Sequence, residues 1–94
     1  MIRNFEKLSS EIYKIMETDQ AAAMKITFND LNVASDFTND YLSTVLNPVW
    51  YYSYADIVII TLTAEFGVYT AAHTLSEILS FAAQDYNAQK IQLI

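Results

Sequence analysis

From Val49 to Leu62 the chain runs fourteen residues in which aromatic and β-branched side chains dominate, a composition that fits a pleated sheet. That is long for one strand, so the pattern predicts two strands joined by a turn near Tyr54-Ala55-Asp56. Ile57 to Leu62 alternates little between apolar and polar, which reads as a central strand covered on both faces. Trp50, Tyr51, Tyr52 and Tyr54 fall on successive and alternate positions, so their rings must point to both sides of a strand. Either they fill the core and roof the sheet, or some stand exposed as an oligomer interface, a role for which Tyr and Trp are typical.

Amphipathic helices flank this β-rich centre. Ile2, Phe5, Leu8, Ile12, Ile15 and Met16 recur at spacings of three and four, predicting a helix that ends between Thr18 and Ala23. Met24–Phe28 reads as a strand, Asn29-Asp30 as a turn, and Leu31, Val33 and Ser35 as the inward positions of a second strand. Asp36–Leu46 reads as a short helix capped by Ser35 or Asp36, with a strand over Tyr41–Leu46 as the alternative; Asn47-Pro48 ends it either way. Ala64–Gly67 is a turn whose glycine suits a positive φ. A helix from Ala71 to Tyr86 buries Leu75, Ile78, Leu79, Ala82 and Tyr86, with Thr70 or Thr74 as cap and Thr74–Glu77 at capping-box spacing. Lys90–Ile94 forms a last short strand. The expectation is a single domain spanning residues 1–94: a two-layer α+β fold with one mainly antiparallel sheet against two main helices and a third short one.

Several chemistries lack their residues. His73 is the one histidine, and no Ser or Thr sits in a nucleophile-elbow motif, so no triad is visible. Asp30, Asn32 and Asp36 imitate a calcium loop but lack its turn glycine and its closing Glu. One glycine cannot make a phosphate loop, and zero cysteines exclude thiolate metal sites and disulfides. The expected protein is therefore not an enzyme and takes neither cofactor nor metal. The longest uncharged stretch, Tyr41–Ala55, is broken by Asn47-Pro48 and too short to cross a bilayer. Glu6 and Glu11 interrupt any apolar leader. With no cysteines, this predicts a soluble cytoplasmic chain without membrane contact.

Charge gives the remaining signal. The net charge is −6, and no Lys or Arg occurs between Ile26 and Gln89. That interval carries Asp30, Asp36, Asp40, Asp56, Glu65, Glu77 and Asp85, while Arg3, Lys7, Lys14 and Lys25 crowd the start. Direct nucleic-acid binding is disfavoured, because phosphates call for Lys and Arg. In size, acidity and lack of cysteine the chain resembles the small acidic phage-encoded DNA-mimic inhibitors of host restriction and CRISPR nucleases. That resemblance implies that those seven carboxylates stand in for phosphates and engage a basic, nucleic-acid-binding host protein in the host cytoplasm, a dimer doubling the array. Two other functions fit: an assembly module that homodimerises through the aromatic strand or the C-terminal edge, and a nucleotide-sequestering protein that stacks bases on Tyr rings beside Arg3, Lys14 or Lys25.

Overall fold

The computed structural model describes residues 5–45 and 49–94, apart from the side chain of Phe5. Ile2 and Arg3, and the predicted helix end at Leu46 with the Asn47-Pro48 break, lie outside the described residues.

Helix α1 spans Phe5–Asp19 and strand β1 spans Ala21–Thr27. The helix stops at Gln20, whose φ of 60° is left-handed. Its backbone N–H donates to the Met16 carbonyl at 2.9 Å and its side-chain amide to the Glu17 carbonyl at 3.1 Å, satisfying C-terminal carbonyls. Ala21, Ala22 and Ala23 therefore belong to β1 rather than to the helix their propensity favours. Pairing of all three with β3 outweighs that preference.

Leu31–Asp36 is a helix, α2, not the predicted strand. The Asp30 carboxylate accepts from the Val33 N–H at 3.0 Å, an N-cap that starts the turn. Leu31 is left 61% exposed while Ala34 and Phe37, three apart, are buried, which is a helical and not an alternating pattern. The segment continues as a π-helical turn over Phe37–Tyr41 and a 3₁₀ turn over Leu42–Thr44, so the short-helix reading holds here and the strand alternative does not. In the wide turn the Leu42 N–H reaches the Phe37 carbonyl five residues back.

Strands β2 (Trp50–Tyr54) and β3 (Ile57–Thr63) form the expected hairpin, closed by Ala55 at φ 54° and Asp56. Helix α3 covers Val68–Gln84 and begins at Gly67, not at Thr70 or Thr74. Gly67 takes φ 110° and ψ 145°, a conformation almost restricted to glycine. Thr74 is buried in the body of α3, so it does not serve as a helix-starting cap. Strand β4 is Lys90–Leu93, shorter by one residue than expected, although the Ile94 N–H still bonds the Ala23 carbonyl.

The sheet is antiparallel throughout, in the order β2-β3-β1-β4. Each helical crossover, β1 to β2 and β3 to β4, skips one strand, the arrangement of a split βαβ pair. Ala22, Met24, Ile26, Phe28, Val58, Ile60 and Leu62 point to one face and form a single core with Ile12 and Met16 of α1 and Leu75, Ile78 and Leu79 of α3. The fold is thus α+β with two layers. Its shortest dimension is 18 Å, enough for one sheet and one layer of helices. Among the described residues nothing covers the second face of the sheet, and β3, expected to be enclosed on both sides, is buried on one: its burial alternates from Ile57 to Leu62. Among the described residues no helix is long and apolar enough to cross a membrane.

Candidate interaction surface

Register places the side chains of the open face in rows across the strands. Tyr54, Ile57, Thr27 and Lys90 make one row from β2 to β4; Tyr52, Ile59, Lys25 and Gln92 make the next. The third is Trp50, Thr61 and Ala23, extended by alternation to Ile94. The face grades from an aromatic column on β2 through an aliphatic column on β3 to a lysine-bearing half on β1 and β4. Trp50 is 72% exposed, Tyr52 63% and Tyr54 67%. No carboxylate belongs to the strand residues of this face, in a chain with eleven Asp and Glu.

The four predicted interface residues therefore divide three to one. Trp50, Tyr52 and Tyr54 share the open face, whereas Tyr51 pairs with Ile60 on the helix side and remains half-exposed because β2 is an edge strand. Of the basic residues offered for stacking a nucleotide on Tyr rings, Lys25 lies in the Tyr52 row on the open face, while Lys14 rides the helical layer on α1.

The seven predicted acidic residues do not form one row. Asp40, Asp85 and Asp36 act electrostatically on the Tyr86 phenol, and Glu77 on the Tyr41 phenol; Asp36 ends α2, Asp40 lies in the π-turn, Glu77 in α3 and Asp85 just after it. Asp30 caps α2 and Asp56 closes the β2–β3 hairpin, at the sheet end where β1 finishes; the Asp56 carbonyl accepts from the Phe28 N–H at 2.8 Å. Glu65 follows the other end of β3, separated from Asp56 by a seven-residue strand, a length of roughly 20 Å. Lysines do not neutralise the group. Among the described residues the one ion pair joins His73 to Glu77 at 3.3 Å on the exposed side of α3. His73 sits in the second turn of that helix. Among the described residues no three His, Asp or Glu side chains gather closely enough to hold a metal ion.

Sequence reading missed the aromatic cluster beneath these acids. Phe37 lies 5.0 Å from Phe28 and 5.1 Å from Tyr86, edge-on to the latter, and Tyr41 stacks on Phe81 at 4.5 Å. Their separation along the chain hid the cluster. Burial raises the Tyr41 pKa above its usual value, with help from Glu77 and Tyr86. Burial also raises that of Tyr86, followed by Asp40, Asp85 and Asp36. Raised folded-state values mean that the unfolded chain ionises first. The stability these neutral phenols contribute is whole below about pH 10 and declines as pH climbs through that value toward the folded ones. Urea midpoints measured across the alkaline range should fall accordingly, and Tyr41→Phe should flatten the fall.

Compared with known proteins, the chain matches no protein-family model, no curated protein and no solved structure.

Proposed function

We propose that this protein is a non-catalytic interaction module whose working surface is the open face of its sheet. The observation that carries this reading is the co-location of Trp50, Tyr52 and Tyr54 with Ile57 and Ile59 on a face whose strand residues include no carboxylate side chain. Three rings at about two-thirds exposure present on the order of 400 Å² to water, given ~150–250 Å² per aromatic side chain. Patches of that size on small proteins commonly mark binding sites. Covering it would contribute about 10 kcal/mol of gross apolar transfer, from which the entropy of association is subtracted. The acids, kept on the helical layer and the loops, maintain solubility while that face stays free to bind.

A basic partner, as for a DNA-mimic inhibitor of a nuclease, is the second reading. The grouping of Asp36, Asp40, Glu77 and Asp85 without a lysine partner favours it. The position of Glu65 at the far end of β3 counts against a continuous phosphate-like array.

Pull-downs with the purified protein as bait separate the two. Tyr52→Ala combined with Tyr54→Ala should remove the bound protein, and moderate salt should not. Asp36→Asn, Asp40→Asn, Asp56→Asn and Glu65→Gln together should leave it in place. The reverse pattern would replace the module with the electrostatic inhibitor.

A further inference from the structure

Resting on that module reading, we infer that the occupant of the open face is a second copy of the chain, packed face to face about a two-fold axis parallel to the strands.

A face-to-face pair of identical sheets has two simple symmetric solutions. With the axis across the strands, each column meets itself, and the Lys25 ammonium of one copy confronts Lys25 of the other in the middle row. Like charges held directly opposite in a closing interface oppose association, whereas the other axis offsets the two lysines by one strand spacing. With the axis along the strands, the rows keep their order and the columns reverse, so β2 of one copy covers β4 of the other and β3 covers β1.

Every row is then complementary to its own reverse. In the first row Tyr54 meets Lys90 and Lys90 meets Tyr54, a ring over a cation at both ends, with Ile57 on Thr27 between them. In the second, Tyr52 covers Gln92, and the Lys25 stem lies along Ile59. In the third, Trp50 meets Ile94, and Thr61 meets Ala23. Large rings oppose the flatter half of the sheet, as interdigitating sandwich faces do. The helical layers carrying the acids end on the outside, so two negatively charged chains meet through a face whose strand residues include no carboxylate side chain.

Size bears on the strength of the pair. Four strands about 4.8 Å apart and some 20 Å long give a face of roughly 19 by 20 Å, about 380 Å² before side-chain relief is counted. That is below the roughly 600–1,000 Å² per partner of stable specific interfaces and in the range of weak, transient ones, so the dimer should be concentration-dependent rather than obligate. Single-stranded nucleic acid fits less well. The central strands β1 and β3 offer Ala, Thr, Ile and one Lys where stacking rings would be needed.

Tyr54 and Lys90 occupy opposite edges of one sheet, three strand spacings or about 14 Å apart, so within one copy they do not meet. Exchanging them therefore probes the partner. Sedimentation equilibrium of the unmodified chain should show the mass rising with concentration to twice 10.7 kDa. Emission from Trp50, the single tryptophan, should shift to the blue over the same range. Tyr54→Lys should move the dimerisation midpoint upward by about tenfold or more. Adding Lys90→Tyr to that variant should bring the midpoint most of the way back, with circular dichroism confirming that both variants fold.

A mass that stays at the monomer value at every concentration overturns the second-copy inference. Titrating that monomer with a polythymidine strand then decides between occupants: a shift in Trp50 emission preserves the module reading with nucleic acid in place of the copy. A doubled mass with moving Trp50 emission but no restoration by Lys90→Tyr overturns this pairing and keeps the face. A doubled mass with unmoved emission overturns both the pairing and the use of this face.

Discussion

Phe37→Ala is expected to remove about 3–5 kcal/mol of folding stability, the usual range for deleting a buried aromatic ring. Phe37 has no exposed surface, and it is in ring contact with Phe28, Tyr41 and Tyr86 together. It ties the π-turn of the β1–β2 crossover to the sheet and to the chain after α3. Without it the cavity opens where three elements meet, and none of them can collapse inward independently. A domain of this size has about 5–15 kcal/mol in total, so the variant should unfold at a much lower urea concentration. Leu31→Ala, in the preceding helix α2 and 61% exposed, is the control and should stay within about 0.5 kcal/mol of the parent. Equal effects from the two would mean that the crossover does not pack as described.

Ile60→Ala and Ile59→Ala are expected to differ sharply although the residues are adjacent. Ile60 is fully buried against the helical layer, and its truncation should cost about 2–5 kcal/mol. Ile59 lies half-covered on the open face between Tyr52 and Lys25, and truncation should cost about 1 kcal/mol or less in the monomer. Its larger effect should appear in association, where the open face becomes an interior. Unfolding at a dilution that keeps the chain monomeric measures the first quantity, and sedimentation at high concentration measures the second. Comparable losses of monomer stability would show that the second face is covered within one chain.

Much of this architecture was legible along the chain. The spacing of Ile12, Ile15 and Met16, and of Leu75, Ile78 and Leu79, announced α1 and α3 because a helix needs one apolar stripe. The hairpin at Ala55-Asp56 followed from a β-rich run too long for one strand. Local pattern failed where two periods explain the same few residues. Leu31 and Val33 fit a strand by alternation, and only the Asp30 cap and the burial of Ala34 and Phe37 select a helix. Gly67 was recognised as a positive-φ residue, but its place as the start of α3 was not, since that depends on where the helix meets the core.

The surfaces divide along the same line. Alternation in Trp50–Tyr54 by itself determined that rings would emerge on both sides of β2, and composition determined that the chain would be acidic. Only the tertiary structure decided that α1, α2 and α3 all lie on one side of the sheet, leaving Trp50, Tyr52 and Tyr54 uncovered beside Ile57 and Ile59. It decided the acids too: Asp56 and Glu65, nine positions apart, stand at opposite ends of β3, while Asp36 and Asp85, far apart along the chain, both act electrostatically on the Tyr86 phenol. The reason is that side-chain direction repeats with the local backbone and can be read residue by residue. Which faces are covered, and which charges become neighbours, depends on how whole elements pack, and that is set by contacts between residues far apart in sequence.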